Sequence, residues 1–310
     1  MQRRGFTAGL AAGLFALAAP PVFARCEAVA PAARPQNTPR DFVGQGLDEI
    51  VARGYLTIAV YDAFPPYSWL DAAGQPQGID IGVGRILAQA LGVEPRFNFV
   101  LAGENLGQDL MSYVWRGTVL DEPVSNVMMR VPYNLDFACT VDQVVFTGQY
   151  AAEQIAIAYS LAAYPDAVPS DLPRHEGAPV PAFFRYDSVA VENDSIADFY
   201  LTAFPGGQIG PNIHRFPQMS EAMAVLKTGE VMAAMGPQAQ LQYGADKGVA
   251  VHTPPLPQFA LAKWTLGLAV HQSHRDLAYA LDDAVAAALA DGRIAKVYAD
   301  LGLSFTPPER

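Results

Sequence analysis

Residues 59–92 read AVYDAFPPYSWLDAAGQPQGIDIGVGRILAQALG, and their pattern changes period halfway. At their start, Leu56 to Tyr61 is a run rich in β-branched and aromatic residues, the composition of a strand. Ala73-Gly74 marks a turn, after which Ile79, Val83, Ile86, Leu87, Ala90 and Leu91 recur on one helical face. A second β-rich run, Arg96 to Leu101, follows at once. Strand, helix and strand in this order predict a parallel sheet covered by helices. Gly82-Val83-Gly84 lacks the third glycine of a dinucleotide fingerprint and lies inside the helical pattern, so close helix packing explains it.

Upstream, Leu47, Ile50 and Val51 predict a short helix stopped by Gly54. Residues 25–46 are rich in Pro, Ala, Arg and Gln without apolar periodicity and read as a flexible tether. The first 24 residues carry Arg3 and Arg4, an apolar run from Ala8 to Ala19, and the small-residue ending Val22-Phe23-Ala24. That is an export signal, too short for a stable membrane span. The pair Arg3-Arg4 before Gly5-Phe6 leaves twin-arginine and ordinary secretion both open, and either one sends the chain to the periplasm.

The 310 residues are 51% hydrophobic, enough for about two domains. A formal charge of -11, with no basic cluster, argues against nucleic acid and against anionic lipid surfaces. Of the two cysteines, Cys26 and Cys139, an oxidising compartment favours a disulfide tying the mature N-terminus to the body. Two separate buried thiols are the alternative.

Downstream come a helix near Gln108 to Arg116, a strand at Val127 to Val131, and the run CTVDQVVFTGQYAAEQIAIAY. In that run Ile155, Ile157 and Tyr159 alternate with Ala and Gln, as in a strand linking two bodies. A new β-α pattern begins at SVAVENDSIADFYLTAF, with Asp194 or Ser195 as helix cap. It repeats in RFPQMSEAMAVLKTGEVMAAMG, where Ser220 is the expected cap and Val231 to Met235 the following strand. The chain closes with strand-like TLGLAV and two amphipathic stripes, one on Leu277, Leu281, Ala284, Val285 and Ala288, the other on Ile294, Val297, Tyr298 and Leu301.

The stretch at 59–92, with SEAMAVLKTGEVMAAMG and ALDDAVAAALADGRIAKVYADLGL, resembles the type II periplasmic solute-binding proteins over residues 47–307. The resemblance implies an α/β fold of two lobes, each a central sheet flanked by helices, joined by hinge strands. Lobe 1 would be residues 47–151 and 260–310, and lobe 2 residues 152–259. Amino-acid receptors of this kind carry T-x-x-R after the strand leaving lobe 1, to grip the ligand carboxylate. Here Pro132, Tyr133 and Asn134 stand in that place. The Asp that pairs with a ligand ammonium is replaced by Gly236-Pro237-Gln238. Without both anchors a zwitterion would be desolvated uncompensated.

The run SNVMMRVPYNLDFA is similar instead to the MxaJ/XoxJ branch, encoded beside periplasmic pyrroloquinoline-quinone (PQQ) methanol dehydrogenases, with Asn126 for Asp and Arg130 for Gly. That resemblance implies a monomeric, non-enzymatic accessory protein that binds the dehydrogenase and assists its maturation or activation, with no cofactor of its own. The alternative is a receptor delivering a small molecule other than a standard amino acid to an ABC importer. For either, the cleft candidates are Phe64, Tyr67 and Trp69 on the Pro65-Pro66 turn, with Arg130, Tyr133, Asn134, Ser195 and Gln238. Each has a plainer reading: turn packing for the aromatics, an ion pair for Arg130, and helix capping for Ser195. The five histidines are scattered, which opposes a metal site, and Asp282-Asp283 point to different helix faces, as a solvated pair would.

Overall fold

The computed structural model describes residues 44–118, 123–165, 177–257 and 259–309. In chain order the elements are α1 (Leu47–Arg53), β1 (Tyr55–Tyr61), β2 (Trp69–Leu70), β3 (Pro76–Gln77), α2 (Ile79–Ala90), β4 (Glu94–Val100), α3 (Leu106–Leu110), β5 (Val127–Pro132), α4 (Leu135–Thr140), β6 (Val144–Ser160), β7 (Val189–Glu192), α5 (Ile196–Thr202), β8 (Ile213–Phe216), α6 (Met219–Thr228), β9 (Ala233–Pro237), α7 (Gln238–Gly244), β10 (Val249–His252), β11 (Lys263–His271), α8 (Arg275–Ala290) and α9 (Arg293–Asp300).

The main sheet runs β4-β1-β5-β11-β6-β9-β7-β8, with β10 also on β6. In its first half β1 is parallel to β4 and β5, and β11 is antiparallel to β5 and β6. In its second half β7 is parallel to β8 and β9, and β9 and β10 are antiparallel to the far end of β6. The 17-residue β6 therefore belongs to both halves, pairing with β11 from Val144 to Gln154 and with β9 from Ile155 to Tyr159. Alternation along each strand builds two faces. Ile58 and Val60 point into a core with α2, α8 and α9, while Ala59 joins Val100, Leu110 and Met128 opposite. Val189 and Val191 pack with Ala197 and Leu201 of α5, while Ala190 packs with Met219, Met223 and Leu226 of α6. The result is an α/β fold of two sheet-and-helix bodies strung on β6 and β11.

Gly82 and Gly84 serve helix packing. A Cβ on Gly82 would lie 2.6 Å from Val297 Cγ1 of α9, and one on Gly84 would lie 2.7 Å from Phe97 Cε1 of β4. Two local expectations change. The helix near Gln108 is α3 followed by a π-helical turn at Met111–Trp115. The cap of α6 is Gln218, because the helix already starts at Met219 and places Ser220 inside its first turn. The run at Ile155, Ile157 and Tyr159 lies in β6, the strand shared by both halves, and Ala156 and Ala158 on its other face are equally buried because helices cover both sides there. Among the described residues, no helix is long and apolar enough to cross a membrane.

Candidate functional site

Three buried charged residues, Asp80, Arg130 and Glu153, belong to one cluster. Arg130 sits in β5 with a left-handed backbone, φ 62°, and is 9% exposed. Its Nη2 lies 3.7 Å from Glu153 Oε2 on β6, and its guanidinium carbon stacks 3.0 Å from the Tyr67 ring centroid, with Phe64 at 5.8 Å. Tyr67, fully buried on the turn between β1 and β2, donates its hydroxyl to Glu153 Oε2 at 2.8 Å. Nearby, Tyr150 donates to Asp80 Oδ1 at 2.9 Å. Two polar atoms of the cluster, Asp80 Oδ2 and Arg130 Nη1, are buried without a hydrogen-bond partner.

Burial raises the carboxyl pKa of both Asp80 and Glu153, and the Arg130 charge pulls each back down. Burial also opposes the charge on Arg130, but Tyr67, Asp80, Tyr150 and Glu153 outweigh it and hold the guanidinium protonated. The Tyr67 and Tyr150 phenols are pushed well above their ordinary value, first by burial and then by the adjacent carboxylates.

The second body is tied to the first along α7. Gln154 Nε2 donates to Gln238 Oε1 at 2.5 Å, and Trp69 packs against Tyr243 with ring centroids 5.6 Å apart. Gln242 exchanges two hydrogen bonds of 3.0 Å with Ser304 of the C-terminal tail. On another side the two bodies leave a cavity of about 640 Å³. Tyr133 and Asn134 line it from the end of β5, Ile196 from the start of α5, and Leu261, Lys263 and Trp264 from the returning chain. Its two charged lining residues, Lys263 and Glu309, pair with each other at 2.6 Å. A neighbouring cavity of about 450 Å³ shares Tyr133 and is bounded by Phe146, Gln149, Arg275, Tyr279 and Asp282.

The sequence candidates therefore separate. Tyr133 and Asn134 face the larger cavity, although Asn134 Oδ1 also caps α4 by accepting from the Asp136 and Phe137 amides. Ser195 caps α5, accepting from the Asp198 amide at 3.2 Å, directly before the cavity-lining Ile196. Phe64, Tyr67 and Arg130 come together in the buried cluster, whereas Trp69 and Gln238 sit at the contacts with α7 and Gln154. Cys139 is half-buried in α4, and the Cys26 half of the expected pair lies outside the described residues. Asp282 is not simply solvated: it accepts from the Gly148 amide and joins α8 to β6. Among the described residues no three His, Cys, Asp or Glu side chains gather as a metal-holding group.

Sequence reading missed Glu153, Asp80, Tyr150, Lys263 and Trp264. Glu153 carries a signal, as the single charged residue of the 17-residue β6. A lone carboxylate in so apolar a strand needs a buried partner. Asp80 in GIDIGVG has the same character.

No family model matches this chain, and no curated protein matches it. Solved structures do. An ancestral cationic amino acid solute binding protein is 20% identical, with a TM-score of 0.63, covering 82% of this chain and 98% of its own. An amino acid ABC transporter substrate-binding protein from Streptococcus pneumoniae, bound to L-arginine, is 16% identical with a TM-score of 0.58, covering 85% and 100%. A solute receptor for L-cysteine of Neisseria gonorrhoeae is 20% identical with a TM-score of 0.54, covering 83% and 93%. The chain has the two-lobed fold of these type II solute-binding proteins.

Proposed function

We propose that this chain is an exported periplasmic solute-binding protein whose interlobe cavity takes a small, largely uncharged molecule and not a standard amino acid, for delivery to an ABC importer. The lobes are taken as residues 47–151 with 260–310, and residues 152–259. The observation that carries the reading is the distribution of charge. The cavity offers Tyr133, Asn134, Ile196, Leu261 and Trp264, while its one cation, Lys263, is paired with Glu309. Arg130, the basic residue nearest the receptor motif in sequence, is buried against Glu153. Aromatic walls with few polar groups favour a solute that stacks and makes one or two hydrogen bonds.

The second reading is the accessory protein of a PQQ-dependent methanol dehydrogenase. Large apolar side chains left in solvent favour it: Tyr186 at 89%, Phe199 at 60% and Leu261 at 53% exposure, the last on the cavity wall.

Native mass spectrometry of the mature protein, gently purified from its own periplasm, separates the two. A bound small-molecule mass that is lost from Trp264→Ala supports the receptor. Co-purifying dehydrogenase subunits, with the cavity empty, overturn it in favour of the accessory role. A thermal-shift panel adds a further check: stabilisation by a standard amino acid through Lys263 and Glu309 sinks the uncharged-solute reading.

A further inference from the structure

We infer that the chamber around Arg130 is a guanidinium-binding site that the chain fills with its own side chain. The inference is independent of what the interlobe cavity binds, since Phe64, Tyr67 and Arg130 line neither cavity described above.

The chamber has the parts that a guanidinium needs. Tyr67 supplies a ring face 3.0 Å from the guanidinium carbon, and Phe64 closes a second side at 5.8 Å. Glu153 supplies a carboxylate at 3.7 Å, already oriented by the Tyr67 hydroxyl, and Asp80 adds a second negative charge acting through space. Tyr67, Asp80 and Glu153 lie in the interior, where attraction between charges is weakly screened, and Phe64 is partly buried beside them.

Three features mark Arg130 as an occupant, not an ordinary strand residue. Its backbone is left-handed, at φ 62°, a conformation that costs every residue with a Cβ and suits glycine. Its Nη1 is buried without a partner, so the tethered guanidinium does not use every donor that the chamber encloses. Asp80 Oδ2 is likewise buried without a partner, leaving an acceptor inside the same cluster unused. A free alkylguanidinium, released from the strand, can turn to bring its donors toward Asp80 and Glu153 together.

The consequence is exclusion. As long as Arg130 is in place, a free cationic solute has no access to the aromatic and acidic groups that would recognise it. Shortening Arg130 to glycine empties the chamber and relaxes the backbone in one change.

The test is calorimetric titration of Arg130→Gly with methylguanidinium chloride, with sodium chloride and methylammonium chloride at equal ionic strength as controls. The expected result is saturable one-to-one binding of methylguanidinium by Arg130→Gly, none by the wild type, and at least tenfold weaker binding by Arg130→Gly/Glu153→Gln. A folded Arg130→Gly that binds no methylguanidinium, or a wild type that binds it equally, overturns the inference. If Arg130→Gly does not fold alone, millimolar methylguanidinium should restore its near-UV circular dichroism where sodium chloride does not. Failure of that rescue overturns the inference as well.

Discussion

Replacing Glu153 by Gln tests whether the buried cluster holds the first body together. The substitution keeps an acceptor for the Tyr67 hydroxyl and nearly preserves volume, so the loss is chiefly the charge facing Arg130 at 3.7 Å. Removing one member of a buried ion pair costs about 3–5 kcal/mol, because the other charge is left uncompensated. Asp80 still faces Arg130 through space, which places the expected loss near the lower end, about 3 kcal/mol. For a chain of this size that lowers Tm by about 6–12 °C. Differential scanning calorimetry at pH 7 measures it, with a cycle through Arg130→Met and the double variant to isolate the pair. The drop should persist in 1 M salt, because burial shields the pair from counterions. A Glu153→Gln protein within about 1 kcal/mol of the wild type, or a cycle in which the two changes simply add, refutes the reasoning.

Three further outcomes follow from neighbouring positions. Burial raises the Asp80 pKa above 3.8, so this group favours the folded state at acid pH and loses that contribution as pH rises through its folded value. Stability of Asp80→Asn relative to the wild type should therefore climb between pH 4 and 7; a flat or falling difference would show that Asp80 is not strained by its burial. Gly78→Ala should lose more than about 4 kcal/mol and yield little soluble protein. Its Cβ would meet the Tyr67 carbonyl oxygen at 2.2 Å at a backbone φ of 120°, and normal expression with an unchanged Tm would contradict that contact. Ser195→Ala removes the acceptor for the Asp198 amide and should cost about 1 kcal/mol in urea unfolding, whereas Ser195→Gly should cost less.

The fold was legible because its determinants are local and periodic. Leu56 to Tyr61, the face from Ile79 to Leu91, and the stripes of α8 and α9 each declare their element within a dozen residues, and β1, α2 and β4 follow from them. Gly82 and Gly84 were readable as packing glycines for the same reason. The cluster was not, because its partners meet only in the tertiary structure. Tyr67 and Glu153 stand 86 positions apart, and Tyr150 and Asp80 stand 70 apart. Tyr67 reads in sequence as one of three aromatics on a turn, but burial and the Glu153 carboxylate make it an internal hydrogen-bond donor, while Trp69 two residues later packs on α7 instead. The cavity was half legible. Tyr133 and Asn134 follow from their place after β5, whereas Lys263, Trp264 and Glu309 come from a returning chain that carries no motif.

What a two-lobed protein of this fold binds depends less on how many charges it has than on where they are spent. This chain keeps Arg130 inside, against Glu153, and leaves at the cavity a cation already matched to an anion. The two pairs differ in what breaking them costs. Separating Arg130 from Glu153 would strand charges in the interior, so no solute is expected to recruit that guanidinium. Lys263 and Glu309 are 42% and 81% exposed and give up little when parted, because water takes the place of either partner. A zwitterion entering the cavity could therefore engage charge only at this solvated pair, where screening keeps the gain small, while contact with Ile196, Leu261 and Trp264 still costs it hydration. An uncharged solute meets the same walls without that penalty and gains from every apolar contact. On the proposed reading of an uncharged solute, a weak solvated ion pair beside apolar walls is what turns the cavity away from a standard amino acid.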